Sequence, residues 1–307
     1  MSMIEMKDVS YRYGRVRALD GLDLAVPDGA LYALVGPNGA GKTTLLQLLM
    51  GLRRPRSGTA FVMGVPTTAL SAHDRERIGY VADGQELPGW MRLDQLDAYL
   101  APLYPTWDAA LARDLTVRFR LNTARPIKTF SRGERMKAAL RCALAPRPKV
   151  LLMDEPFNGM DVMVKDDLVG GLLDSARSEG WTVLISSHDI GELELLADWV
   201  GFLDNGRMVA SEPMESLLER MRYVDVSGLP DDGGALAPLP AEWMSVNRAG
   251  GRLTFLVAAT GDDFIARAVA LHFSAGARID ARRATLREVF VGLAQRSGPQ
   301  TPTEVES

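Results

Sequence analysis

Gly36-Pro37-Asn38-Gly39-Ala40-Gly41-Lys42-Thr43-Thr44 satisfies the pattern G-x-x-x-x-G-K-[ST], and its neighbours give that pattern a mechanical meaning. Leu31-Tyr32-Ala33-Leu34-Val35 precedes it as an apolar, β-favouring run, and Leu45-Leu46-Gln47-Leu48-Leu49-Met50 follows as a helical segment closed by Gly51. Strand, glycine loop and helix in this order bring successive backbone N–H groups onto phosphate oxygens. Gly36, Gly39 and Gly41 are expected to supply backbone angles that other residues resist. The helix starting near Lys42 adds free amides and a positive dipole end. Lys42 then reaches the β- and γ-phosphates of a nucleotide, and the Thr43 hydroxyl is placed to ligate Mg²⁺.

Composition narrows the class. The chain has 307 residues and a net charge of −4, from 35 Lys and Arg against 39 Asp and Glu. That is enough for one large or two smaller domains with a real core. Acids and bases are interspersed, so no nucleic-acid backbone is expected as a partner. Cys142 is the only cysteine, which excludes an internal disulfide and a cysteine-based zinc site and fits a reducing compartment. No apolar run approaches the roughly 18 residues of a membrane span, and the basic-then-apolar pattern of a signal segment is not expected at the N-terminus. A membrane role would therefore run through another protein.

Along the chain, residues 3–9 and 21–27 read as strands around a turn at Gly14. Tyr11 and Tyr13 sit at alternate positions between them and share a face. An aromatic ring upstream of a phosphate loop can stack on an adenine base, or it can be an ordinary strand tyrosine. Segments 57–62 and 78–81 read as further strands. From Trp90 to Pro148 the apolar spacing turns helical, broken at Pro102 and Pro105, with a helix capped by Thr106 or Asp108.

Val150-Leu151-Leu152-Met153 reads as a buried parallel strand delivering Asp154 and Glu155 at its C-terminal end, the edge at which open α/β sheets bind ligands. An acid there can hold Mg²⁺, and its neighbour can orient water and accept its proton. Segment 182–187 delivers His188 to the same edge. Asn205-Gly206 turns a final strand pair. Beyond Pro213 the pattern predicts a helix and strand over 216–228, a Pro/Gly-rich loop over 228–240, strand 252–257, helix 262–274, strand 277–280 and helix 285–295. Residues 297–307 read as a disordered tail. Ser131-x-x-Glu134 opens a periodic apolar segment and reads as a capped helix start.

Taken in order, Tyr13, the loop 36–44, Ser131-Arg132-Gly133-Glu134, Asp154-Glu155, Asn158-Gly159-Met160-Asp161 and His188 resemble the motifs of the ATPase subunits of ABC transporters, across residues 3–212. The resemblance implies an α/β fold: a P-loop nucleotide-hydrolase core over 1–212 with an antiparallel β subdomain and a helical subdomain at about 90–148. A small C-terminal α+β domain over 213–296 completes it.

The resemblance also implies ATP and Mg²⁺ as ligands and ATP hydrolysis as the reaction. Glu155, His188 and Lys42 would be catalytic. Tyr13, Gly36, Pro37, Asn38, Gly39, Ala40, Gly41, Lys42, Thr43 and Thr44 would hold the nucleotide, joined by Ser131, Gly133, Glu134 and Asp161 at a head-to-tail interface. Thr43, Asp154 and Asp83 would hold the metal. A homodimer or heterodimer of ATPase subunits would work beneath a transmembrane permease, cytoplasmic and peripheral to the membrane.

Three positions at two places depart from the family pattern. Asp83 stands where Gln is usual, with Gln85 two residues on as the alternative, and Arg132 and Glu134 replace Gly and Gln. The loop Gln85 to Met91 occupies the neighbourhood that in the family receives a short helix from the membrane subunit, or it packs locally. The segment Thr285 to Phe290 resembles extensions of subunits paired with export-type permeases. A soluble ATPase acting on macromolecules and a low-turnover regulatory module share the same core motifs.

Overall fold

The computed structural model describes residues 2–297 apart from 159, 161–164, 166–167, 171, 173–175, 177–178, 195, 230–238, 259–261 and 273–276. The chain forms two compact units, Met1–Ser211 and Glu212–Ser307.

In the first unit, β1 (Ser2–Tyr13) and β2 (Val16–Pro27) form an antiparallel hairpin. These strands are longer than the sequence pattern predicts. Tyr11, Arg12 and Tyr13 pair with Leu19, Arg17 and Val16, so polar side chains that blur the alternation are carried on solvent-facing strand ends. β3 (Leu31–Val35) leads into α1 (Lys42–Leu49), which Gly51 closes at φ 66°. β4 (Ser57–Val62) and β5 (Val65–Pro66) return to β1, giving a four-stranded sheet of order β2-β1-β4-β5.

After the short α2 (Ala72–Glu76) come β6 (Ile78–Val81), α3 (Leu93–Leu100), α4 (Ala109–Arg118) and α5 (Arg132–Leu144). Asp108 caps α4, its carboxylate accepting from the Ala110 and Leu111 amides. The Arg141 side chain is 2 % exposed and ties these helices together. Its guanidinium donates to both oxygens of Asp97 on α3 at 2.6 and 2.5 Å and to Ala112 O and Thr116 Oγ1 on α4 at 2.9 and 2.6 Å. Breaking such a buried pair costs about 3–5 kcal/mol, because one charge is left unpaired.

β7 (Val150–Asp154), β8 (Thr182–Ser187), β9 (Trp199–Asp204) and β10 (Arg207–Pro213) complete a six-stranded sheet of order β10-β9-β3-β8-β7-β6. Within it β6, β7, β8, β3 and β9 run parallel. β3, β7 and β8 are buried along their whole length, as a parallel sheet covered on both faces requires. Leu34, Leu45, Leu46, Leu48, Leu49, Val150, Leu152 and Leu184 lie in one continuous core between α1, this sheet and the antiparallel one. Asn205 and Gly206 take φ of 46° and 76°, the left-handed pair that a two-residue hairpin demands.

The second unit carries α6 (Met214–Arg220), β11 (Met221–Ser227), β12 (Met244–Ala249), β13 (Arg252–Ala258), α7 (Asp262–His272), β14 (Arg278–Arg283) and α8 (Leu286–Ser297). Its antiparallel sheet has the order β12-β13-β11-β14. Trp243 stacks on Phe255 at 3.8 Å in the core beneath it. β12 is a correction, for the sequence pattern assigns no strand there. Only Met244 of its six residues is buried, so this edge strand lacks alternation. The signal was the turn: Gly250 and Gly251, at φ 51° and 69°, form a glycine hairpin into β13. Most of the loop expected over 228–240, and the tail beyond Ser297, lie outside the described residues.

Candidate active site

Register places the chemistry. Val35 pairs with Ser187, and Asp154 with Ser186, so β3, β7 and β8 end level and deliver the glycine loop, Asp154-Glu155 and His188 to one edge. A cavity of about 490 Å³ lies there. Tyr13 and Val16 bound one side of it; Asn38, Lys42, Thr43 and Thr44 line its floor, and Asp83, Glu155 and Asn158 complete it.

The glycines of the loop divide their labour. Gly39 and Gly41 take φ of 83° and 111°. Gly41 caps α1 in the left-handed region, and no acid occupies the first turn of that helix, whose free N–H groups remain available to an anion. Gly36, expected to need an unusual backbone angle, does not. A Cβ there would meet Leu203 O at 2.2 Å, so close approach of β9 is what demands glycine.

Lys42 is buried and folded back. Its ammonium donates to Gly36 O at 2.6 Å and Pro37 O at 3.1 Å. It also stands 3.1 Å from Glu155 Oε1, an ion-pair contact without hydrogen-bond alignment, which leaves that buried oxygen without a donor. Glu155 itself is held in the sparsely populated left-handed region at φ 47°. Its second oxygen, Oε2, contacts His188 Nδ1 at 2.8 Å and accepts from the His188 amide at 3.2 Å. Asp154 is almost fully buried and accepts from Ser186 Oγ at 2.7 Å. Burial pushes its carboxyl above the usual range; hydrogen bonds from Ser186 and Thr43 pull it down, and the nearby carboxylates of Glu155 and Asp83 add to the rise.

These residues fit a magnesium nucleotide. A buried carboxylate held above its ordinary pKa beside a threonine hydroxyl favours a cation, and the donorless Glu155 oxygen is an acceptor waiting for a polar hydrogen. Among the described residues no three His, Cys, Asp or Glu side chains converge on one point; Mg²⁺ commonly takes only one or two carboxylates, with hydroxyl, phosphate and water oxygens for the rest.

Asp83 lines this cavity, whereas Gln85 turns away, its Oε1 accepting from the Ala82 amide at 3.1 Å. Ser131, Gly133 and Glu134 are not part of the cavity. They form the tip of α5, where Ser131 Oγ accepts from the Glu134 amide at 3.1 Å and Glu134 accepts from the Ser131 amide at 2.7 Å and from Arg125. Asp161 and Gly159 lie outside the described residues.

Sequence reasoning missed the support of Tyr13. The Arg53 guanidinium lies 4.6 Å above its ring and donates to Tyr11 Oη at 3.0 Å, while the Tyr11 and Tyr13 rings meet edge to face at 5.0 Å. Gln47 on α1 accepts from both Arg53 Nε and Tyr13 Oη. Gln47 and Arg53, six residues apart at the end of the loop helix, carry no signal that they reach back across to β1.

The edge-bound phosphate loop, the paired acids and the parallel sheet define a nucleotide hydrolase. The model of the family described as "ABC transporter" matches residues 19–158. Among curated relatives, the lantibiotic transport ATP-binding protein SrtF of Streptococcus pyogenes is 32 % identical, over 70 % of this chain and 95 % of its own. The nickel import ATP-binding protein NikO of Rhodobacter capsulatus is 35 % identical over 70 % and 91 %. The Nod factor export ATP-binding protein I of Burkholderia orbicola is 30 % identical over 95 % and 97 %. A solved ATP-binding subunit of an ABC transporter superposes with a TM-score of 0.64 at 26 % identity, over 70 % of this chain and 92 % of that one. The chain belongs to the ATP-binding proteins of ABC transporters. It is an ATP-binding ATPase subunit of that family.

Proposed function

We propose that this chain is the motor of a transmembrane permease, hydrolysing ATP between two ATPase subunits and driving export. The observation that carries the permease partner is a groove of about 560 Å³ walled by Leu96, Tyr99 and Leu100 of α3, Ala139 and Ala143 of α5, and Leu87 and Pro88 of the loop after β6. Tyr99 and Leu103 on its rim are 58 % and 56 % exposed, an apolar surface suited to an amphipathic helix. No described helix is long and apolar enough to cross a membrane, so the span would belong to the partner. Direction rests on the Nod factor export relative, which matches this chain through its second unit, whereas the nickel import relative covers 70 % of it.

The test is membrane association. In its native host the chain is expected in washed membranes, and the combined substitution Tyr99→Glu and Leu103→Glu is expected to move most of it to the soluble fraction with ATP binding retained. Undiminished membrane binding of the double variant would remove the groove as the docking site.

In the reaction, the loop amides and Lys42 grip the β- and γ-phosphates, and Lys42 exchanges its carbonyl and Glu155 contacts for them. Thr43, Asp154 and Asp83 would hold Mg²⁺, which when bound neutralises phosphate charge. Glu155 Oε1 accepts the proton of the attacking water, and His188, touching the other oxygen, steadies that carboxylate and faces the terminal phosphate. The α5 tip, led by Ser131, lies outside its own chain's cavity and would meet the nucleotide held by a second subunit, head to tail, with Gly133, Glu134 and Asp161 at the same junction.

Tyr13 would stack on the adenine, braced by Arg53. Arg53→Ala is expected to raise KM for ATP about two- to fivefold, the scale of an exposed cation–π contact, with kcat within twofold. A fall in kcat at unchanged KM would disprove the bracing role.

A further inference from the structure

Asp83 and Arg132, two positions at which this chain parts from its family's pattern, contact each other. Asp83 Oδ1 lies 3.7 Å from Arg132 Nη2, with both side chains about half exposed at 46 % and 56 %. They bridge two elements with different tasks. Asp83 lines the phosphate cavity. Arg132 is the first residue of the 13-residue α5, adjoining the Ser131 cap, and lines a neighbouring cavity with Lys128 and Arg135.

Each side chain is awkward alone. Asp83 is a third carboxylate near Asp154 and Glu155, and its charge adds to the rise of the Asp154 carboxyl. Arg132 puts a cation on the first turn of a helix, where the dipole disfavours it, in a cavity that holds two further cations, Lys128 and Arg135, against the one acid Glu86. Pairing relieves both. A divalent cation arriving with the nucleotide would compete for the same carboxylate, and a half-exposed ion pair is weak enough to yield.

We propose that Arg132 is the resident counter-ion of Asp83, displaced by the incoming metal–nucleotide, so that it sets the metal dependence of nucleotide binding and leaves its guanidinium free at the α5 tip only once the cavity is loaded. This rests on the placement of Asp83 on the metal side of the cavity. Arg132 is thus a positioning residue that acts through Asp83. The pair also explains how an acid is tolerated there: the extra negative charge is matched within the same chain until a metal replaces the match.

The experiment uses the full chain at submicromolar concentration, with AMP-PNP as the nucleotide and binding, not turnover, as the readout. The Mg²⁺ concentration at half-saturation is measured for the wild type, Arg132→Gln, Arg132→Lys, Asp83→Asn and the Asp83→Asn, Arg132→Gln double variant. Arg132→Gln is expected to lower the Mg²⁺ requirement about three- to fivefold, since the metal no longer evicts a guanidinium. Arg132→Lys is expected to stay near the wild type. Asp83→Asn is expected to raise the requirement, and in that background Arg132→Gln is expected to be silent.

An Arg132→Gln effect that persists in the Asp83→Asn background would show a long-range field effect and overturn the pairing, as would an unchanged Mg²⁺ requirement in Arg132→Gln alone. A wild-type requirement in Asp83→Asn would overturn the placement of Asp83 itself.

Discussion

Glu155→Gln is expected to lower kcat for ATP at least about 100-fold, the lower range of what a positioned general base contributes, while ATP affinity holds or tightens. The amide is isosteric but cannot take up a proton. Glu155 Oε1 also stands 3.1 Å from Lys42 Nζ, so the substitution frees the ammonium that the phosphates need. Phosphate release under steady-state and single-turnover conditions measures the first effect and equilibrium titration the second. With ATP and Mg²⁺ the variant is expected to elute as a dimer, since the closed pair no longer hydrolyses the ATP that holds it shut. Turnover within about tenfold of wild type would take the proton-accepting role from Glu155.

Asp154→Asn is expected to stabilise the nucleotide-free protein and disable it, raising Tm by about 2–4 °C for each ~1 kcal/mol gained and cutting Mg²⁺-dependent turnover by at least about 100-fold. Burial is the largest influence on this carboxyl and lifts it above 3.8, so the folded chain binds this proton more tightly than the unfolded one. Stability from this group therefore falls as pH rises from 3.8 through the raised folded value, and the penalty is complete above it. Asparagine carries no charge to bury, and its oxygen still accepts from Ser186. The gain over wild type should grow as pH rises through the raised folded value and shrink as pH drops toward the unfolded one. A Tm at or below wild type at pH 7.5 would show that the charge is not held against a desolvation cost. Stability given up for function at a site is a familiar trade.

Local grammar made the centre of this molecule legible. The phosphate loop, the acids closing β7 and the Ser131 cap each announce themselves within a few residues, because strand, turn and helix start are short-range events. The exposed halves of β1 and β2 escape the sequence pattern for the opposite reason: Ser10, Arg12 and Arg17 are polar residues made into strand by pairing partners elsewhere in the chain. Distance in sequence hid the rest. Arg53 bracing Tyr13, Arg141 gripping Asp97 from 44 residues away, Arg132 meeting Asp83, and Leu203 forcing glycine at position 36 are contacts between segments whose own composition is ordinary. The Gly250-Gly251 turn before β13 was a short-range signal, and it announces the strand that patterning overlooked.

The grip of Arg141 has a mechanical corollary. α3 supplies one wall of the apolar groove, α5 supplies another and carries Ser131 at its far end, and a single guanidinium fastens both to α4. If the proposed permease presses at Tyr99, α3 is expected to move with α4 and α5 rather than bend away from them. Ser131, at the far end of α5, is then expected to shift with that block.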